Sequence, residues 1–411
     1  MRIGIIATRL SGTDGVSLEV AKWVQVLRNA GHELYYCAGE LGGYAATGTL
    51  IPRMHFTDRE VYALTQAAFA KKNTISPEQL LDEILRLSAE MKAPLLSFIR
   101  ENQLDCLIVQ NVLAIPMNLP LAHCITEISA ESDIPVVAHN HDYYWERERY
   151  QISQLPSFLE TYFPADLPNV KHVSINSIAQ QRLKRRRGID SVVIPNVFDF
   201  EKPVPELTDK RQSFRSALKL STSEPLIVQP TRVIQRKGIE LAIELLCGMD
   251  MKHPKLFITH AAGDEGLDYW HWIQHEARMM GVELILADQF VKDTAGPNSF
   301  TLADVYLNAN LVTYPSLYEG FGNALIEAVY FKRPVVVNRY PVYNSDIRPL
   351  GFNFIELEGY VDDAAIKDAN QMIHSMNAAR DIVENNFEIA RKHFSMETLE
   401  TKLLNVLEKL I

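Results

Sequence analysis

Short apolar runs alternate with amphipathic stretches along most of the chain, which is the pattern of an α/β protein. Helical periodicity is clearest after the first run, where Val16, Val20 and Trp23 share one face and Gly31 marks the end. Because helical stretches separate the apolar runs, we predict parallel strands with right-handed crossovers. In the first half these strands are predicted at 2–8, 33–38, 104–110, 134–141, 170–176 and 192–195.

The region from about 51 to 102 interrupts this alternation. Residues 77–100 have the periodicity of one continuous helix. We predict a helical insertion, and the sequence leaves open whether it shapes a ligand site or only packs on the domain.

The length of 411 residues predicts two domains of about 150 to 200 residues each. A stretch rich in proline and charge, EKPVPELTDK at 201–210, is the expected linker. We therefore predict domains at 1–202 and 203–390, followed by a terminal helix at 391–411 with apolar spacing at 399, 403, 404, 406 and 407.

The net charge and the positions of the cysteines indicate which partners and which cell compartment to expect. The formal charge of −10 argues against a nucleic-acid surface, and the basic run 184–187 before Gly188 is better explained as a helix end than as a lipid-phosphate patch.

The four cysteines lie in or beside apolar segments without a Cys-x-x-Cys pair, which predicts buried thiols: Cys37, Cys106, Cys124 and Cys247. Without a signal peptide or an apolar run of about 18 residues, we expect a cytoplasmic protein that does not associate with membranes.

The most informative stretch is 310–338, NLVTYPSLYEGFGNALIEAVYFKRPVVVN, which reads as strand, loop, helix and strand. Gly320 and Gly322 let the backbone approach a ligand, and a helix that begins after them presents its N-terminal N–H groups to an anion. Glu319 and Glu327 supply carboxylates that accept hydrogen bonds from vicinal diols. Taken alone, two glycines at this spacing more often serve only a tight turn, with Glu327 as an exposed helix residue.

The whole stretch resembles the Glu-x7-Glu signature of retaining glycosyltransferases of family 4, which have the GT-B fold. The matching positions are Pro315, Ser316, Tyr318, Glu319, Gly320, Phe321, Gly322, Glu327, Ala328, Pro334, Val335 and Val336. Lys332 departs from the pattern, because relatives often have glycine there. The resemblance implies two Rossmann-like domains that face each other across a cleft, with a last helix that crosses back to the first domain.

The same resemblance implies a donor site for a nucleoside-diphosphate sugar. Arg232 and Lys237 match the family's cations that neutralise the diphosphate, and with no Asp-x-Asp triplet we expect Mg²⁺ to be dispensable and no cofactor to be required. The loop 9–15 lacks a dinucleotide fingerprint, which disfavours hydride transfer. The implied donor-binding residues are Gly12, Asp14, Gly15, Arg232, Lys237, Gly263, Asp264, Val291, Glu319, Gly320, Phe321, Gly322, Asn323, Ala324 and Glu327.

The candidate active-site and acceptor-binding residues of the first half lie in the segment PVVAHNHDYYWERERY. By resemblance, His141 is the active-site histidine that positions the transferred sugar, so the predicted catalytic residues are His141, Glu319, Arg232 and Lys237. His139 is interpreted as structural, and no cluster with metal-ligand spacing accompanies the two histidines. Aromatic rings and guanidinium groups come after His141. They are suited to an acceptor site or, equally, to a solvated helix with internal ion pairs. These residues are Tyr143, Tyr144, Trp145, Arg147 and Arg149.

We therefore expect a retaining, α-linking hexosyltransferase that uses a donor of the GDP-mannose or UDP-glucose type. The segment after His141 resembles transferases that make small anionic glycosides such as mannosylglucosylglycerate, which implies a GDP-mannose donor and a small polar, acidic acceptor with a hydroxyl group. The alternatives are a disaccharide phosphorylase, a nucleotide-sugar epimerase of the same fold, or a transferase that acts on glycolipids at a membrane surface. The oligomeric state stays open.

Overall fold

The structure is a computed structural model that describes residues 1–12, 15–70, 75–206, 210–218, 220–221, 224–263, 266–287, 290–292 and 299–410. It contains two compact units, one made of Met1–Val197 with Met396–Ile411 and the other of Phe198–Ser395. Among the helices of the described ranges, none combines the length and the apolar character needed to span a membrane.

The first unit is built on a sheet of parallel strands. The strands are β1 (Arg2–Ala7), β2 (Glu33–Ala38), β3 (Thr49–Leu50), β4 (Cys106–Gln110), β5 (Val136–Asn140), β6 (Val170–Ser174) and β7 (Ser191–Val193). Their order is β3-β2-β1-β4-β5-β6-β7. β4 and β5 are buried at every position, as expected for parallel strands covered on both faces. The predicted strands of the first half are confirmed.

Helices connect these strands. They are α1 (Gly15–Asn29), α2 (Arg59–Ala68), α3 (Pro77–Glu101), α4 (Leu119–Ser132), α5 (Pro156–Tyr162) and α6 (Ser177–Arg187). The long insertion helix is confirmed as α3, which begins with Pro77 after a capping box between Ser76 and Gln79. α6 ends at Gly188 with φ +71°, so the basic run is the last turn of a helix, as predicted.

The second unit repeats the architecture. Its strands are β8 (Ile227–Gln229), β9 (Lys255–Ile258), β10 (Glu283–Leu286), β11 (Leu311–Tyr314), β12 (Val335–Asn338) and β13 (Ile355–Leu357). They are parallel in the order β10-β9-β8-β11-β12-β13. The helices are α7 (Lys210–Ala217), α8 (Ile239–Gly248), α9 (Asp268–Met279), α10 (Leu302–Asn308), α11 (Asn323–Tyr330), α12 (Asp363–His374) and α13 (Met376–Phe394).

The last helix, α14 (Met396–Glu408), returns the chain to the first unit. Its buried residues Leu399, Leu403 and Leu407 join the core that contains Val20 and Trp23 of α1. A helix of this length gains most of its stability from packing an apolar face, so the apolar spacing is what places it there.

One part of the cysteine prediction is wrong. Cys37, Cys106 and Cys124 are buried, but Cys247 is exposed near the end of α8. The buried face of α8 includes Ile243 and Leu246, and Cys247 lies outside it. An apolar neighbourhood in the sequence does not fix which side of a helix a residue occupies.

His172 lies buried in β6 with both ring nitrogens hydrogen-bonded. Nε2 donates to the Ala165 carbonyl oxygen at 3.0 Å, and Nδ1 accepts from the Asn140 side-chain amide at 3.2 Å. Only a neutral imidazole has an acceptor at Nδ1, so this arrangement keeps His172 uncharged.

We predict that acid destabilises the first unit through His172. Burial lowers the pKa of His172 to about 4, whereas the unfolded chain has the ordinary value of 6.5. Between these values the unfolded chain binds a proton that the folded protein does not, so the free energy of unfolding falls as the pH falls. From pH 7.5 to 5 the expected loss is about 2 kcal/mol.

Urea unfolding of the wild type and of His172→Gln at both pH values measures this loss. Glutamine does not titrate, so the difference between the two pH values should be about 2 kcal/mol smaller in the variant. His139 is buried too and has a lowered pKa, but it is present in both proteins. Equal pH dependence in the two proteins would contradict the assignment.

Candidate active site

The loop between β11 and α11 lies at the carboxyl end of a central strand, where parallel sheets bind their ligands. Gly322 precedes the helix with φ +128°, in the region that favours glycine. A Cβ on Gly322 would lie 2.4 Å from the Tyr340 hydroxyl oxygen. Gly322 is therefore required both by its backbone angle and by the close approach of Tyr340.

Tyr340 fixes this loop from inside the unit, and the sequence prediction omits it. It is 1% exposed, and its hydroxyl donates a 2.7 Å hydrogen bond to the Phe321 carbonyl oxygen. The Phe321 side chain is buried against Phe394, with ring centroids 5.2 Å apart, so only the backbone of Phe321 is suited to a ligand. A tyrosine two residues after an apolar strand carries no signal of a partner in a distant loop.

Glu319 is a buried carboxylate that binds two cations. Its Oε2 accepts a 3.0 Å hydrogen bond from Nη1 of Arg236, and its Oε1 accepts one from Nζ of Lys237. Both cations belong to the 3₁₀ turn Gln235–Lys237 that follows β8. Glu319 is 8% exposed and Lys237 is 9% exposed. Burial of either charge alone would be costly, so each stabilises the other in this position.

The two loops also meet through their backbones. The Leu317 N–H donates a 2.8 Å hydrogen bond to the Arg236 carbonyl oxygen. A Cβ on Gly238, whose φ is +60°, would lie 2.3 Å from the Pro315 carbonyl oxygen. Gly238 therefore permits the close approach that joins these loops.

The ion pairs set the charge states of this cluster. Burial by itself would raise the pKa of Glu319, but Lys237 and Arg236 outweigh burial and lower it. Burial lowers the pKa of Lys237; Glu319 opposes that effect and Arg236 reinforces it. Glu319 is therefore ionised at neutral pH, and its charge helps to keep Lys237 protonated.

The structure adds Arg236 to the predicted pair of cations. Arg232 is exposed early in the same loop, and Lys237 is buried beside Glu319. The dipeptide Arg236-Lys237 was visible in the sequence as adjacent cations, and only the family pattern singled out the lysine. The diphosphate roles of Arg232 and Lys237 stay predictions.

Glu327 is half-buried on α11. Its Oε2 accepts a 3.1 Å hydrogen bond from the Tyr306 hydroxyl on α10. The Tyr306 ring is stacked on Phe331 with centroids 5.0 Å apart, so Tyr306 orients the carboxylate from a fixed position. The ribose role of Glu327 stays a prediction.

The other donor candidates lie in loops of both units. Gly320, Asn323 and Ala324 surround the start of α11, and Gly263 follows β9 with φ +115°. The Val291 N–H donates to the Ala287 carbonyl oxygen at 2.9 Å. In the first unit, Gly12 follows β1 with φ +85° and Gly15 begins α1. Asp14 and Asp264 lie outside the described residues.

His141 follows β5 at the carboxyl edge of the first sheet. The His139 ring stacks on Trp23 with centroids 4.0 Å apart, and the His141 ring packs on His139 at 4.3 Å. His139 also bonds Gln110, with its Nδ1 2.9 Å from the amide oxygen. This stack supports a structural interpretation of His139 and gives His141 a rigid base.

Asn111 fixes the turn that carries His141, and the sequence prediction omits it. Its Oδ1 accepts a 3.1 Å hydrogen bond from the His141 N–H, and its Nδ2 donates to Asp142 at 3.3 Å. Asn111 has φ +61°, in the left-handed region that asparagine tolerates better than most residues. The strained backbone is thus used to aim an amide at the neighbouring turn.

The segment after His141 forms two 3₁₀ turns, Tyr144–Glu146 and Glu148–Tyr150, so the alternative of a solvated helix is wrong. Tyr143 is fully buried and stacked on Trp145 with centroids 4.7 Å apart. Its hydroxyl lies 2.9 Å from Ser174, so Tyr143 has no exposed surface for stacking on a sugar. For Tyr144, Trp145 and the two arginines, an acceptor role stays a prediction.

Two carboxylates, three nearby cations and a helix N-terminus converge at the edge of the second sheet. Such a set suits a ligand with an anionic diphosphate and neighbouring hydroxyl groups. Within the described ranges, no three His, Cys, Asp or Glu side chains are grouped so that they would hold a metal ion.

Comparison with known proteins decides the family. Residues 210–388 match the family model described as glycosyl transferases group 1. The mannosylglucosylglycerate synthase of Petrotoga mobilis is 34% identical over 87% of this chain and 86% of its own length. The protein of the same name from Thermotoga maritima is 31% identical over 97% of this chain and 98% of its own length. The chain belongs to the glycosyltransferase group 1 family. The protein is thus a glycosyltransferase, which acts on a sugar donor and an acceptor.

Solved structures show that this glycosyltransferase has the GT-B fold. Anabaena Alr3699/HepE, crystallised with UDP and glucose, has a TM-score of 0.66 at 14% identity over the full length of both chains. Sucrose-phosphate synthase from Thermosynechococcus elongatus has a TM-score of 0.65 at 15% identity, with 100% of this chain and 98% of that chain covered. At these identities the likeness concerns the fold.

We predict that Tyr340→Phe weakens both the stability and the activity of the glycosyltransferase. The variant leaves the Phe321 carbonyl without its buried donor, which should cost about 1 to 3 kcal/mol of unfolding free energy. Tyr343→Phe is the matched control, because it removes another tyrosine hydroxyl of the same segment that bonds Glu356 instead. Urea unfolding and glycosyl transfer are measured on both variants. If Tyr343→Phe reduced transfer as much as Tyr340→Phe, the loop would not depend on Tyr340.

Proposed function

We propose that this glycosyltransferase moves a mannosyl group from GDP-mannose to a hydroxyl of glucosylglycerate. The observation that carries the proposal is the similarity along nearly the whole chain to two proteins named mannosylglucosylglycerate synthase. That name describes a product in which mannose is joined to glucosylglycerate. The acceptor would be a small glucoside with a carboxylate, which agrees with the expectation of an anionic acceptor.

The cation cluster of the second unit supports the donor half of the proposal. Arg232, Arg236 and Lys237 lie on one loop, and Lys237 is held opposite the loop that begins α11. Fixed cations and a helix N-terminus stabilise a diphosphate most strongly when it leaves with its full negative charge. These groups supply the neutralisation for which other transferases use a divalent ion, so we propose that Mg²⁺ is not essential.

The proposed reaction retains the configuration of the anomeric carbon. The bond from this carbon to the diphosphate oxygen breaks, and the acceptor oxygen forms a bond on the same face. The acceptor proton passes to the departing diphosphate, so no protein nucleophile is needed. Glu319 accepts hydrogen bonds from Arg236 and Lys237, and a carboxylate can accept about four, so we propose that sugar hydroxyls use its remaining acceptor capacity.

We predict that GDP stabilises the protein more than UDP or ADP does. A ligand at about 100 times its dissociation constant adds roughly 2.7 kcal/mol of apparent stability, which thermal unfolding detects. Glu327→Ala should lose most of the GDP shift, because the carboxylate proposed to bind the ribose diol is gone. A larger shift with UDP would reject the GDP donor and favour a UDP-sugar.

The product distinguishes the alternative activities. GDP-mannose and glucosylglycerate should yield GDP and a new glycoside whose anomeric configuration, read by NMR, is that of the donor. Product formation from the donor without an acceptor would favour an epimerase. A requirement for inorganic phosphate would favour a phosphorylase.

We predict that Glu319→Gln shifts the pH dependence of nucleotide binding. In this variant burial and Arg236 still lower the pKa of Lys237, but the opposing carboxylate is absent, so the pKa falls further. Lys237 then loses its proton at a lower pH as the solution becomes alkaline, and GDP affinity should decline at a lower pH than in the wild type.

Calorimetric titration with GDP between pH 6.5 and 9.5 measures that decline. Glu327→Gln should bind GDP more weakly at every pH but keep the wild-type pH of decline, since Lys237 pairs with Glu319 and not with Glu327. Coinciding profiles for the wild type and Glu319→Gln would show that Glu319 does not support the charge of Lys237.

A further inference from the structure

In the segment after His141, several side chains pack inside the first unit, and Arg147 is partly exposed at its edge. Tyr143 and Trp145 belong to a buried cluster with α6. Glu146, whose side chain is 6% exposed, accepts a hydrogen bond from the Tyr143 N–H and pairs with Arg182. These contacts hold the two turns in place and leave Arg147 with a side chain that is 39% exposed.

A chain of hydrogen bonds orients Arg147. Its Nε donates to Oδ2 of Asp142, and Oδ1 of Asp142 accepts from the Asn111 amide at 3.3 Å. The Asn111 Oδ1 in turn accepts from the His141 N–H at 3.1 Å. Because Asn111 follows β4 and His141 follows β5, this chain places the guanidinium at the carboxyl edge of the first sheet.

The terminal nitrogens of Arg147 are the part that remains available. Within the part of the chain that the structure describes, Nη1 and Nη2 donate no hydrogen bond to another residue. Two parallel N–H groups of a guanidinium match the two oxygens of a carboxylate. An arginine that is held through Nε keeps this pair preorganised, so little side-chain entropy is lost on binding.

Other arginines near this edge are engaged differently. Arg53 contacts the carboxylates of Asp58, Glu60 and Glu90. Arg149 lies over the Tyr150 ring, 4.6 Å from its centroid. Arg147 is the arginine of this segment that is fixed beside the His141 turn.

We propose that Arg147 binds the carboxylate of the acceptor through Nη1 and Nη2, and that this contact selects an anionic acceptor over a neutral one. The inference rests on the proposed function, because glucosylglycerate supplies the carboxylate. Asp142 balances the charge of Arg147, so recognition depends on the paired hydrogen bonds more than on net charge. A lysine at this position would therefore not replace the arginine.

The test compares two acceptors that differ only in the group proposed to bind Arg147. Glucosylglycerate carries the carboxylate, and glucosylglycerol carries a neutral hydroxymethyl group in its place. The ratio of kcat/KM for the acid to kcat/KM for the alcohol should fall about 10- to 100-fold in Arg147→Gln. Arg147→Lys should lose most of the same ratio, whereas Arg149→Gln should keep the wild-type ratio.

Two further readouts separate this role from a structural one. Arg147→Gln should keep the thermal shift with GDP, and its kcat/KM for glucosylglycerol should fall much less than its kcat/KM for glucosylglycerate. An unchanged ratio in Arg147→Gln, or a fall in Arg149→Gln instead, would overturn the inference and leave the proposed function intact. A wild type that binds GDP but does not transfer mannose to glucosylglycerate would overturn both.

Discussion

The candidate site of the second unit depends on a buried charge that has to be neutralised. Glu319 is ionised inside the protein because Lys237 and Arg236 reach it from a loop 82 and 83 positions away in the chain. Removal of either side of such a pair leaves an uncompensated charge in a medium of low polarity. Gly238 allows the two loops to come close enough for the pairing, and Gly322 allows Tyr340 to approach the loop that carries Glu319.

In the first unit, aromatic packing and one side-chain amide hold the turn that carries His141. Trp23 and His139 form a stacked base for His141, and Asn111 binds the backbone of the same turn. Both devices lie at the carboxyl ends of parallel strands, where neighbouring loops converge by topology. The fold therefore brings the loops together, and a few buried polar contacts decide what each loop presents.

Local patterns were sufficient to predict the elements. The strands of the first half and the long helix α3 follow from apolar periodicity, and Gly188 marks the end of α6. The same patterns misplaced Cys247, because periodicity leaves the face of a residue undecided near a helix end. For the segment after His141, these patterns could not decide between an acceptor site and a solvated helix. The segment forms two turns that pack through Tyr143 and Trp145.

The sequence by itself determined the α/β class, the order of the elements and the family, because these are written in local periodicity and in a motif of closely spaced residues. The tertiary structure alone revealed Arg236, Tyr340, Asn111 and Tyr306 as partners of the candidate site. Each acts through a hydrogen bond or an ion pair to a residue far away in the chain. Such contacts depend on where the sheets place their loops, and no local pattern encodes that placement.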